Sequence, residues 1–146
     1  MKIAHGTLVM VADGAKLLLF RNEGDEKFAV LQTLDHARQD NPSTAEQGDD
    51  SPGRSFARFG ESRSSYEETD LHQQREDAFA RHAAGLLEDT AQAHPGAGIV
   101  VIAAPRTLGE LRRNYGRATN ESLVAEIDKV LTDHTTDDIA AAIAAH

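Results

Sequence analysis

The chain has 146 residues and a net charge of −9. That is enough length for one ordinary domain with a real core, and the wrong sign for bulk electrostatic affinity to nucleic acid or anionic lipid. Hydrophobic residues at 40% and charged residues at 27% fit a globular protein, and the absence of cysteine excludes disulfides, thiolate metal sites and a cysteine nucleophile while suiting a reducing cytosol.

The opening "MKIAHGTLVMVADGAK" does not read as a secretory signal, because His5 and Asp13 bracket its apolar run and no small-residue cleavage site follows. No apolar stretch approaches the roughly 20 residues of a membrane span, so the expected location is cytoplasmic. Within the opening, Thr7–Ala12 is apolar and β-branched, Asp13-Gly14 follows, and Lys16–Arg21 is apolar again. Asp-Gly between two apolar runs signals a hairpin, since a type I′ turn needs φ > 0 at both central positions. Strands are predicted at about 6–12 and 15–21, with a third at Phe28–Leu34, so the chain opens as an antiparallel meander.

From Arg38 to Ser65 the apolar pattern stops, apart from Phe56 and Phe59. So long a connection without periodicity is uncommon inside a compact domain. It predicts a mobile polar segment at 38–65, anchored by the two phenylalanines. Ser65 and Glu68 then fit a capping box, opening a helix from about Tyr66 to Ala93. Leu71, Ala78, Phe79, Ala83, Leu86 and Leu87 form its buried face. His94-Pro95-Gly96 stops it. Ile99–Ala104 reads as a strand buried on both faces, reached by a βαβ-type crossover.

After Pro105, Thr107 and Glu110 fit a second capping box, with a helix over about 108–115 and Gly116 near its end. The stretch "ESLVAEIDKVL" is ambiguous, and periodicity slightly favours a helix. Finally, Thr135 or Thr136 caps "DDIAAAIAAH", with Asp137 and Asp138 favourable near the positive helix start.

The opening "VADG", the "PGRSF" element and "APRTLGELR", within a pattern covering nearly the whole chain, resemble the bacterial host attachment protein family, described as required for attachment to host cells. That family is similar at fold level to the middle domain of archaeal and eukaryotic peptide-chain release factors. The resemblance implies a single α/β domain over 1–146, ribonuclease-H-like, with a mixed sheet of about five strands flanked by helices. It also implies that Leu123–Asp128 is a strand. Release factors use a Gly-Gly-Gln tripeptide to promote peptidyl-tRNA hydrolysis. The nearest match here, Phe59-Gly60-Glu61-Ser62, lacks the second glycine and the glutamine amide. Peptide release is therefore not implied, and fold-level likeness alone assigns no function.

The residues offer few catalytic patterns. Asp13 stands where ribonuclease-H-like nucleases hold a metal-binding acid, with Glu67, Glu68 and Asp70 as conceivable partners. The turn at Gly14 explains Asp13 completely, the helix dipole already explains the other three acids, and a two-metal site would need several converging carboxylates. His72 and Glu76 are four apart on a helix, but His82 is ten residues on, which is no metal-ligand spacing. Ser62, Ser64 and Ser65 lack a nucleophile-elbow context, and no phosphate-binding glycine loop is present.

What stands out is two basic islands in an acidic chain. Arg54, Arg58 and Arg63 face one glutamate over 54–63; Arg106, Arg112, Arg113 and Arg117 face one over 105–117. Arg106 and Thr107 lie at a predicted helix start, which favours anions. Arg112 and Arg113 point about 100° apart, so at most one shares a face with Arg106. Arg54, Arg58, Arg106, Thr107, Arg112 and Arg113 are thus the candidate anion- or partner-binding set, with no catalytic residue, metal or cofactor assigned. The expected function is a non-catalytic cytoplasmic binding or adaptor module of the host-attachment kind, acting on attachment indirectly through a protein partner. The alternatives are a ribosome- or RNA-associated protein and, more distantly, a metal-dependent hydrolase.

Overall fold

The computed structural model describes residues 1–39 and 61–146. Arg54, Arg58, Phe56, Phe59 and most of the segment expected to be mobile lie outside the described residues. A five-stranded sheet forms from β1 (Leu8–Ala12), β2 (Lys16–Asn22), β3 (Leu31–Arg38), β4 (Ile99–Ala103) and β5 (Leu123–Asp128), in the order β3-β2-β1-β4-β5. β1, β2 and β3 pair antiparallel; β4 joins β1 in parallel and β5 joins β4 in parallel. The sheet is therefore mixed, as expected, and Leu123–Asp128 is a strand. Its position beside β4 overrides the marginal helical periodicity of its sequence.

Four helices complete the described chain: α1 (Glu61–Ala93), α2 (Pro105–Arg112), α3 (Arg117–Ser122) and α4 (Thr136–Ala145). β1 and β4 are buried at every position, which fits uninterrupted apolar runs covered on both faces. On one face Leu8, Met10, Val101 and Ala103 meet Phe79, Ala83 and Leu87 of α1 and Leu108 and Leu111 of α2. On the other, Val9, Val11, Val100 and Ile102 meet Ile139 and Ile143 of α4. Each such aliphatic side chain contributes about 1.5–3 kcal/mol by leaving water.

Four boundaries differ from the sequence reading, each for a local reason. The third strand begins at Leu31 rather than Phe28, because the Asp25 carboxylate accepts from the N–H groups of Lys27 and Phe28 at 2.9 and 2.8 Å and bends the chain there. Phe28 is left 70% exposed. α1 begins at Glu61, so Ser65 lies inside it and is not its cap. At 33 residues α1 is about 50 Å long, far longer than a five-residue strand, and Leu71 and Ala78, expected in the core, are exposed. α2 begins at Pro105, whose fixed φ and missing N–H suit the first helical position. Thr107 is therefore inside the helix, buried, and makes no capping bond; Glu110 is free for another role. Gly116 does not close α2 but precedes α3 as its N-cap in extended backbone. Thr135 does cap α4, accepting from the Asp138 N–H at 3.1 Å.

Two polar side chains hold corners of this frame. Asn22 is fully buried at the end of β2. Its amide donates to the carbonyls of Ile3 and Ala4, each at 3.1 Å, and its oxygen accepts from Gly24 at 2.9 Å and Val30 at 3.0 Å. Glu88 of α1 accepts from the Ala118 and Thr119 N–H groups at 3.1 and 2.9 Å and from the Thr119 hydroxyl at 3.0 Å. A carboxylate thus occupies the start of α3, where free N–H groups favour negative charge. A Cβ at Gly116 would run into that carboxylate. The Thr119 N–H, the Gln92 amide and the Ala118 N–H together bring the Glu88 carboxyl down to about 2.

Asn22→Ala leaves two N–H groups and a carbonyl without partners. It is expected to lower unfolding free energy by about 2–4 kcal/mol with an unchanged denaturant slope; a change near zero in a urea titration rejects this role. Glu88 has a depressed folded-state pKa, so its contribution is fully present above the ordinary value of 4.5 and is lost as pH falls towards 2. The stability gap between wild type and Glu88→Gln is therefore expected to narrow over that window in acid unfolding. A gap that stays constant through it contradicts the assignment.

Candidate functional site

β1 and β4 are parallel neighbours whose continuations diverge. β1 turns back into β2 on one side, and β4 leads through α2 and α3 to β5 on the other. In α/β sheets the crevice beyond the carboxyl ends of such strands is the usual ligand site. A cleft of about 230 Å³ lies there, lined by Asp13, Gly14, Ala15, Gln39, His72, Arg75 and Glu76. Gly14 permits the close approach of α1: a Cβ at that position would come within 3.0 Å of Glu76 Cγ.

Asp13 is committed to structure. One carboxylate oxygen accepts from the Ala15 and Lys16 N–H groups at 2.8 and 2.7 Å, which fixes the hairpin turn. The other accepts from the buried Thr132 hydroxyl at 2.7 Å and ties the turn to the segment after β5. Among the described residues no group of three or more His, Asp or Glu is placed to hold a metal ion. Glu68 and Asp70 are exposed on α1, and the His82 ring rests 6.2 Å from that of Phe79.

Beside the cleft, a polar chain joins α1 to α2. His72 Nε2 lies 3.1 Å from Glu76 Oε1, and the other Glu76 oxygen lies 3.6 Å from Arg106 Nη2. Arg106 Nε is 3.6 Å from the buried Glu110, which also accepts from the Gln73 amide at 3.2 Å. Gln73 in turn donates to Asp77 at 2.9 Å. Arg106 is still 65% exposed, so it sits between two carboxylates while presenting its guanidinium outward.

The other candidate arginines separate. Arg112 donates through Nε to both oxygens of Glu126 on β5, at 2.9 and 3.1 Å, and the Tyr115 hydroxyl donates to the same carboxylate at 3.0 Å. Burial, with the Glu126 charge beside it, pushes the Tyr115 phenol well above its usual range. Arg112 thereby links α2 to the sheet edge. Arg113 is exposed and has no acidic partner among the described residues. It follows Arg106 by seven residues, about two helical turns, and continues in helical backbone, so the two project from the same side of α2. Arg117 pairs with Glu121 at 2.9 Å. Thr107 is buried.

Gln73, Gln39 and Arg75 belong to this region without any signal in the residues, and Glu110 belongs to it in place of its expected capping role. Gln39 donates from its side chain to the Arg75 carbonyl at 2.9 Å, closing β3 against α1. The contacts of Gln73 and Gln39 span more than thirty residues and leave no periodic trace. Glu110 carried a competing capping signal.

The model of bacterial archaeo-eukaryotic release factor family 12 matches residues 6–143. A search of the curated proteins finds no match. The match bears on the release-factor side of the resemblance seen in the sequence and lends no support to its host-attachment side. It takes in all five strands and all but the last turn of α4, so the architecture described above is the matched region as a whole. The chain therefore belongs to bacterial archaeo-eukaryotic release factor family 12.

Proposed function

We propose that this protein is a ribosome- or RNA-associated relative of release factors that acts in the cytoplasm by binding, without Gly-Gly-Gln-dependent peptide release. The observation that carries this reading is the family match across 6–143. The sequence supports the second half: no two glycines are adjacent anywhere in the 146 residues, so the release tripeptide has no counterpart. No catalytic group is assigned, because the acid best placed for metal chemistry, Asp13, already accepts three hydrogen bonds.

Arg106, beside the cleft, and Arg113, exposed on the same side of α2, are the proposed phosphate contacts within the described structure. Arg54 and Arg58 join them on sequence grounds. Arg112 is withdrawn from that role by its bond to Glu126 and acts as a clamp for β5. With a net charge of −9, attraction to a polyanion must come from such a local patch. Affinity should then depend on a few ion contacts and fall with salt. The host-attachment adaptor role has no structural observation in its favour, and no helix among the described residues is long and apolar enough to cross a membrane.

Co-sedimentation with ribosomes from the native cell tests the proposal. Binding is expected at low salt and is lost at high salt. Arg106→Ala with Arg113→Ala should weaken it and lower the salt slope by about 2, roughly one for each phosphate contact removed. Arg112→Ala should lower thermal stability instead. Absence of co-sedimentation at low salt rejects the reading, as does binding that both alanine substitutions leave unchanged.

A further inference from the structure

The opposite edge of the sheet carries a second polar cleft. Its volume is about 270 Å³, and it is lined by His5, Gly6, Arg21, His94, Pro95, Gly96 and Ala97. Two tight turns form it, each leading into a central parallel strand. In one, the Thr7 N–H donates to the Ala4 carbonyl at 3.1 Å around Gly6; in the other, the Ala97 N–H donates to the His94 carbonyl at 3.1 Å around Gly96. Gly6 and Gly96 have φ of 87° and 84° and are the positive-φ residues among those described. That conformation at the third turn position calls for glycine. The turns are locked together where the Leu8 N–H donates to the Gly98 carbonyl at 2.9 Å. The cleft walls are thus fixed by backbone.

Both imidazoles are oriented by the same device. His5 Nδ1 lies 2.9 Å from the Gly24 carbonyl, and His94 Nδ1 lies 2.9 Å from the Thr90 carbonyl. A carbonyl only accepts, so Nδ1 carries the hydrogen in each ring and Nε2 is left for another partner. Between them stands Arg21. Its Nη1 donates to Glu23 at 2.6 Å, and that bond holds the Glu23 carboxyl below the usual range, so the pair stays charged. The remaining edge of the guanidinium, Nε with Nη2, is the fork that accommodates a carboxylate or phosphate side-on. Nη2 lies 3.5 Å from where a Gly6 Cβ would stand, and Nε is buried with no hydrogen-bond partner. A buried N–H without a partner is uncommon and costly.

We propose that the cleft between the Gly6 and Gly96 turns binds a phosphate-class oxyanion, held by the Nε/Nη2 edge of Arg21 and flanked by His5 and His94. Nε is buried in this geometry, so the proposed contact turns the guanidinium towards the opening. The ion pair at the cleft is Arg21 with Glu23, and His5 and His94 line the same cleft. This proposal does not rest on the ribosome reading, because its residues lie at the other edge of the sheet from Arg106.

The test is an NMR titration of the full chain with inorganic phosphate at constant pH. The ring signals of His5 and His94 are expected to shift together and saturate, while chloride at equal ionic strength does not move them. Arg21→Lys keeps the charge but loses the fork, and should weaken binding about tenfold. His5→Ala with His94→Ala should weaken it further at unchanged melting temperature, with backbone amides of Gly6 and Gly96 as the reporter. Shifts that never saturate, that chloride reproduces, or that Arg21→Lys leaves unaffected overturn the proposal. A short RNA with and without a 5′-phosphate, used as competitor, identifies the source. Competition by the phosphorylated form alone assigns a terminal phosphate, competition by both assigns the backbone, and competition by neither assigns the free ion.

Discussion

Everything in this molecule depends on the pairing of β1 with β4. The two strands are separated by 86 residues, yet they lie in register from Leu8 against Ile99 to Val11 against Ile102 and are buried on both faces. Neither can satisfy its backbone in water once covered, so each supplies the other's hydrogen bonds. The pairing also sets the site geometry. Parallel strands leave their carboxyl ends on one edge and their amino ends on the other, and the two clefts described above lie one at each of these edges.

Burial sets the frame, but three polar side chains fix its corners. Asp13 joins the hairpin turn to Thr132, Asn22 joins the N-terminal segment to the β2–β3 turn, and Glu88 joins α1 to the start of α3. Each accepts from backbone N–H groups that the sheet and helices leave over, and the Asn22 amide also donates to two backbone carbonyls. Hydrophobic contact is non-directional, so it cannot choose the path of a connecting segment; these side chains do. The same requirement accounts for Asp13. Its carboxylate holds two turn N–H groups and a buried hydroxyl, so three of its roughly four acceptor positions serve the fold.

Much of this was legible in the residues. Uninterrupted apolar runs marked β1, β2 and β4, and Asp13-Gly14 marked the first turn, although neither residue has the positive φ of the expected type I′ turn and the Asp13 carboxylate closes it instead; of Thr135 and Thr136, Thr135 caps α4. Boundaries failed where two local signals competed. Pro105 as a first helical residue and Thr107 as a cap are both reasonable, and the proline won because its missing N–H costs nothing there. Phe28 looked like a strand residue until Asp25 claimed its N–H. The cleft was less legible still. His72, Glu76, Arg106 and Glu110 each read as an ordinary surface or capping residue, and only the packing of α2 on α1 shows that they form one chain of contacts. A spacing of thirty or more residues carries no period for sequence reading to find.

The basic islands show why a count of arginines overstates a binding surface. Within 105–117 the described structure sets an acid against three of four arginines: Glu76 and Glu110 against Arg106, Glu126 against Arg112, and Glu121 against Arg117. Glu110 and Glu121 stand four residues after their arginines, but Glu76 of α1 and Glu126 of β5 come from elsewhere in the chain, so local sequence charge could reveal only part of the neutralisation. Yet the pairings are not equivalent. Arg112 is held at 2.9 Å by a carboxylate that also takes the Tyr115 hydroxyl, and losing it breaks a structural bond. Arg106 stands 3.6 Å from each of its partners and is mostly in water, where such pairs are worth little. A phosphate can replace those contacts without unmaking the fold. Arg106, and Arg113 with no acidic partner among the described residues, are therefore the positions on α2 where the proposed anion contact would disturb the fold least.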